Sequence, residues 1–413
     1  AVRHSGSLAR RRRRRFCSAA LVASCLGLGL APVRAQGEGL SIDLRSGRKL
    51  VAQRLVGDQA SGYVATVGGQ AVRFSHADLV AIQQGAAAAP ELLRFELVGG
   101  ERVFGAIVGG DADGDEVRVL SPVLGELGVP IDRLAAAVQP GVHPGDQVVP
   151  EGVDEALFLE TPRGYDLVAG TLFRFGADGL EFQADGDAEA RWYAPRKVSA
   201  LRLRGGVDRE EVADFTLLTR SADRLEVTLD GCDEQGIQVT LEGGASALVA
   251  WRDVGCLVVE RDVRHLSTMQ PSEVVERGFD GPAVLRWQRD QSVAGGELVV
   301  RRRAYGRGLG VHSKSRLTYV VPDGATHFRA AVAFDDVVSA LPLRAHAVAR
   351  VARNREVLFL AEDLRPGEPI RDVGLHPVKP GDTITLEVEF GEGRDLGDRV
   401  DGLLPLFLRR RGA

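Results

Sequence analysis

The 413 residues are 44% hydrophobic and 26% charged, a globular balance with apolar material for about two or three cores. Residues 1–35 hold eight arginines and no acid, so the remainder carries 44 basic (52 − 8) against 57 acidic residues, a net charge of −13. That balance argues against nucleic acid as a polyelectrolyte partner. In chain order, the first segment obeys a different rule from the rest. An arginine run, Arg10 to Arg15, precedes an apolar stretch from Phe16 to Ala31 and then Pro32-Val33-Arg34-Ala35. This is the layout of a secretory signal over 1–35, with Val33 and Ala35 where a signal peptidase reads. The apolar run is shorter than the roughly 20 residues of a bilayer span, so export to the periplasm or the exterior is expected, with no transmembrane span in the mature chain. Arg13-Arg14-Arg15-Phe16 also fits a twin-arginine signal loosely. Val22-Ala23-Ser24-Cys25 resembles a lipoprotein box, but Leu26 to Ala31 stays apolar beyond it, which ranks a lipid anchor second.

Residues 36–139 and 150–260 read as two repeats each. Phe74-Ser-His-Ala-Asp-Leu79-Val-Ala-Ile82 shares a frame with Val129 to Ala137, Tyr193 to Leu201 and Val249 to Leu257. In each, an apolar residue is followed four positions on by a charge (Asp78, Arg133, Lys197, Asp253), then by an apolar residue. The stretches that open the repeats alternate apolar and polar residues, as half-buried strands do. Gly69, Gly114, Gly179 and Gly236 fall where hairpins would turn. Each repeat is therefore expected to hold four or five short antiparallel strands. The pattern resembles small meander barrels of the Sm-like type; two larger sheets, each built from two repeats, are the competing picture. Cys232 and Cys256 are either one disulfide of an exported protein or two buried thiols on neighbouring strands.

The composition shifts near residue 261, and 264–410 reads as a separate module. Strand-like runs at 297–301, 316–321, 327–334, 344–352, 356–360, 383–390 and 403–408 are divided by turn residues, which predicts a β-sandwich. Missing crossover helices exclude a parallel α/β fold. Tyr305-Gly-Arg-Gly308-Leu-Gly310-Val-His312 reads as a tight glycine excursion, and the strand pattern after it excludes a phosphate loop.

Four motifs follow in order: His265-Leu-Ser-Thr-Met-Gln-Pro271, Gly308-Leu-Gly-Val-His312, Phe328 to Asp336, and Val388 to Asp401. With them the module resembles the NPCBM family of carbohydrate-binding modules, found beside glycoside hydrolases and in bacterial exported proteins. The resemblance implies a jelly-roll-like sandwich, recognition of galactose-type sugars and, in some relatives, a structural calcium. Gly402-Leu-Leu-Pro405 stands where the family usually continues with a tryptophan and an acid, which puts a site at that corner in doubt.

The residues nominated for ligand contact are Tyr305, His312, Asp335 and Asp336, and those for calcium are Asp398 and Asp401. Trp287 is a second candidate platform, whereas Trp192 and Trp251 read as core of the repeats. No Gly-x-Ser-x-Gly elbow, His-Glu-x-x-His helix or singled-out carboxylate pair points to catalysis. The expectation is an all-β, exported, non-enzymatic protein that recognises carbohydrate or a glycosylated surface. Alternatives are a structural or protein-binding component of the cell envelope and a protein associated with glycoside hydrolysis.

Overall fold

A computed structural model describes residues 39–142, 152–203, 213–241, 244–281, 285–339, 344–392 and 396–409; the signal-like segment 1–35 lies outside them. The chain is all-β, and the α-helix among the described residues is the single turn Asp336–Ser339.

The second repeat shows the common plan: strands Leu93–Leu97, Arg102–Gly110, Glu116–Ser121 and Gly125–Pro130, a 3₁₀ turn Ile131–Arg133, then strand Leu134–Val138. Each repeated segment forms such a turn, at His76–Asp78, Ile131–Arg133, Pro195–Lys197 and Trp251–Asp253. The charge read from the sequence ends the turn, and a largely buried strand follows. That strand pairs back on the first strand of its own repeat, with Ile42 opposite Ile82, Phe95 opposite Ala137, Leu157 opposite Leu201 and Leu217 opposite Leu257. The fourth strand is not paired with the last among the described residues, so each meander is an open, coiled sheet and not a closed barrel.

The last strands also pair between repeats. Ile82 lies opposite Leu257, and Ala137 opposite Leu201. Both pairs join the same position of the repeat to itself in antiparallel register, the signature of a local two-fold relation. Repeats one and four thus form one pair, and repeats two and three the other.

The sandwich follows with three residues between Val254–Val259 and the strand Val263–His265, which adds to the end of Arg399–Arg409. One sheet runs in the order Gln288–Arg289, Gly308–His312, Arg399–Arg409, Ala325–Phe334, Arg371–Pro377. The other runs Glu273–Glu276, Ser315–Val320, Thr383–Phe390, Ala347–Arg353, Glu356–Leu364. Leu317, Tyr319, Phe328, Val351, Ile384 and Phe407 fill the space between them.

The outer face of the first sheet is not solvated. Ala331, Ala333, Leu403, Leu406 and Leu408 join the core of the repeats in one hydrophobic cluster. Buried Arg329 crosses this junction to Asp43 at 3.0 Å and to the Leu44 carbonyl at 2.9 Å. Arg307 meets Glu260 and Asp290, each at 2.7 Å, and Arg224 meets Asp290 at 3.0 Å. The sequence read 305–310 as a turning excursion, but Gly308–His312 is a central strand. Its glycines serve close packing: a Cβ at Gly308 would stand 2.6 Å from the Gly402 carbonyl oxygen, and one at Gly306 3.0 Å from Cys256 Sγ. Both cysteines are free thiols, and Cys256 Sγ accepts the Gly306 amide at 3.0 Å.

Candidate functional site

The sequence-nominated residues divide among three places. Tyr305 is not an exposed platform. It lies on the hairpin Leu298–Val300/Arg303–Tyr305 and is 5% exposed within the junction core. The same hairpin explains Asp336. Its turn residues Arg301 and Arg302 have positive φ, and their amides donate to the two Asp336 carboxylate oxygens at 2.8 and 2.6 Å. Asp336 therefore fixes a turn that its non-glycine residues would otherwise resist.

Asp335 and Asp401 form the second place. Asp401 pairs across the sheet with Gly310 and Ala333, and Asp335 follows the end of that neighbouring strand. Both are buried and face one another. Asp335 Oδ1 accepts the Val337 amide at 2.8 Å, and the Asp335 carboxyl is hydrogen-bonded to that of Asp401 and to the Ser292 hydroxyl. Burial raises the pKa of each carboxyl, and the adjoining charge of Asp335 adds to the rise at Asp401. Two such carboxyls at contact do not both ionise; they share a proton.

Asp398 is engaged elsewhere. Its carboxylate accepts the Ser313 hydroxyl at 2.6 Å and the His346 amide at 3.2 Å. Asp398 and Asp401 therefore differ in their hydrogen-bond partners, and no group of three or more His, Cys, Asp or Glu is placed to hold a metal ion among the described residues.

The third place is the sandwich corner above Asp398. Strand pairing sets Gln288 opposite Gly310, which brings Trp287 beside the Val311–His312 end of the next strand. Glu276 receives the Trp287 amide at 2.6 Å, and the Arg289 guanidinium sits 5.2 Å from the indole centre. His312 Nδ1 is 2.6 Å from the Ser313 carbonyl. It must donate there, so the neutral ring keeps Nε2 as an acceptor. Trp287 is half-buried and packs against the sandwich core on the side of Val311, and half-buried His312 is the next residue along that neighbouring strand. Groups of those kinds hold a small polar ligand without reacting with it.

Comparison with known proteins follows the same outline. Residues 264–402 match the NPCBM/NEW2 domain. The chain is similar at 17% identity to the structure of a CBM51 from Clostridium perfringens GH95 in complex with methyl-galactose, over 35% of this chain and 99% of that one (TM-score 0.31). A structure of CBM51-2 in complex with GlcNAc and INT domains from Clostridium perfringens ZmpB matches at 16% identity, over 45% of this chain and 42% of that one (TM-score 0.32). No curated protein matches the chain.

Within the NPCBM domain, Gly402 is buried between Leu309 and Val332 in the central strands, facing the sandwich interior. Sequence reasoning missed Glu276, whose role is visible only once the strand end carrying it meets Trp287. It also misplaced Trp192, which is 43% exposed and not core. A cavity of about 200 Å³ at the junction, lined by Arg102, Arg224, Arg307 and Asp290, is a less apt site. Arg102 is paired with Glu297, and Arg224 and Arg307 with Asp290, so these charges join the layers.

Proposed function

We propose that this chain is an exported, non-catalytic glycan-binding protein whose NPCBM domain takes a sugar at the Trp287–His312 corner. The observation that carries the reading is the NPCBM/NEW2 match over 264–402, which coincides with a complete two-sheet sandwich. The strand ends here supply groups that shallow sugar recognition uses: an aromatic surface at Trp287, whose amide Glu276 accepts, and an imidazole at His312, bonded to Ser313, whose hydroxyl Asp398 accepts in turn. The signal-like segment 1–35 supports export.

Binding of the full chain to an array of neutral glycans, followed by calorimetry, tests this. Trp287→Ala and His312→Ala should each weaken binding about tenfold or more. Uniform absence of binding, with and without calcium, would overturn the proposal. Gly402 favours a second reading, in which the sandwich has lost its sugar and the chain is a structural or protein-binding component of the envelope. A cross-linked protein partner together with no glycan affinity would select that reading.

A further inference from the structure

We infer that the repeats carry a saccharide site of their own, in the groove between repeats two and three, with the Trp192 indole as its platform. This goes beyond the NPCBM reading and does not depend on it.

Trp192 lies on the short strand Arg191–Tyr193, opposite Glu181. Its ring is laid against the turn that joins Gly164–Gly176 to Gly179–Ala184. A Cβ at Gly176 would stand 2.7 Å from the ring and one at Gly179 3.0 Å from Nε1. Two glycines thus let the indole rest on bare backbone while 43% of the residue stays exposed. Beside it lies a shallow, open groove of about 550 Å³, whose walls include Arg118, Arg174, Asp111 and the Gly109–Gly110 backbone.

The packing of a repeat does not require this indole. The same position of the frame holds Arg73, Gly128 and Leu248 in the other three repeats, and those meanders close on their first strands in the same way. An exposed tryptophan confined to one repeat is a feature of that groove and not of the fold.

The side chains around it select the ligand. Arg118 is held by Glu126 at 3.1 Å and Arg174 by Glu181 at 2.7 Å. Both guanidinium charges are balanced, so the groove has no surplus positive charge to favour a uronate, sulfate or phosphate. What remains is one flat apolar face ringed by planar, hydrogen-bonding groups. A neutral pyranose complements both, with a C–H face for the indole and hydroxyls for the guanidinium and carboxylate edges.

The test is calorimetry of the full-length protein against neutral gluco-, galacto-, manno- and N-acetylglucosamine oligosaccharides of two to six units. At least one should bind with an affinity that Trp192→Ala lowers about tenfold or more and Trp192→Phe largely retains. Arg174→Ala should weaken the same sugar, and Trp287→Ala, in the sandwich, should leave this component unchanged. Failure of the NPCBM reading alone would show as indifference to Trp287→Ala with the Trp192-dependent binding intact. The inference is overturned if no oligosaccharide binds, or if a folded Trp192→Ala protein binds as the unaltered one does. It is equally overturned if Trp192→Ala changes only sedimentation, which would make the groove a contact between copies of this chain.

Discussion

Asp335 and Asp401 are two buried acids that face one another, and burial is the largest influence on each carboxyl. Their pKa values are raised, so the folded pair binds a proton that free aspartates would release. Stability from this pair is fully present below the ordinary aspartate pKa and declines as pH rises through the folded pair's own titration. Asp401→Asn removes one charge and keeps the shape. In urea unfolding followed between pH 4 and 8, the variant should show a weaker dependence, that of Asp335 alone, and gain about 1–3 kcal/mol at the alkaline end. A cation resident between the carboxylates would give the opposite slope, with stability growing as the acids ionise. An unaltered protein that becomes more stable from pH 4 to 8, with Asp401→Asn abolishing that gain, would replace the shared proton with an ion.

At the scale of the element, the strand Gly308–His312 shows why glycine in a sheet carries meaning. It is central, paired on one side with Arg399–Arg409 and on the other with Gln288–Arg289. A methyl at Gly308 would press on Leu298 at 2.5 Å and on the Gly402 carbonyl at 2.6 Å, and the carbonyl cannot step aside. Gly308→Ala should therefore cost about 1–3 kcal/mol in thermal or urea unfolding, whereas Gly125→Asn, at an open turn whose positive φ asparagine tolerates, should cost no more than a few tenths. Equal losses at both positions would show that close packing is not what Gly308 provides. This strand was also where the sequence misled. Strands with one wet face, such as Ser315–Val320, announce themselves by alternation. Gly308–His312 is buried over four of its five residues and two of the five are glycine, so it showed no period and read as a turn. Arg371–Pro377 went unread for the opposite reason, being polar and half-exposed. The repeated frame was legible because each copy sets a charge between two apolar anchors, whereas the 3₁₀ turn at its centre came only from the structure. Tyr305 and Trp192 exchanged their expected places: a ring's exposure depends on which layer settles over it, and neither the hairpin on the junction nor the groove between repeats is local in sequence.

At the scale of the molecule, the decisive feature is that the sandwich has no free back. Arg399–Arg409 is buried over nine successive residues because one side faces the sandwich core and the other faces the repeats. A single cluster runs from Leu40 through Leu257 to Leu408, and residues 38–413 form one compact unit. Removing the repeats would expose Ala331, Ala333, Leu403, Leu406 and Leu408 as a contiguous apolar face and strip Arg329 of Asp43. A fragment spanning 264–409 should therefore self-associate and bind a hydrophobic dye, whereas the full chain should unfold in a single transition seen alike by tryptophan fluorescence and far-ultraviolet dichroism. Two separated transitions in the full chain, or a monomeric, dye-silent fragment, would mean that the junction contributes little and that the layers are merely neighbours. The consequence for recognition is geometric. A sandwich fixed to the repeats holds the Trp287 corner and the Trp192 groove at a set separation, so any glycan long enough to reach both would meet them with little further loss of freedom.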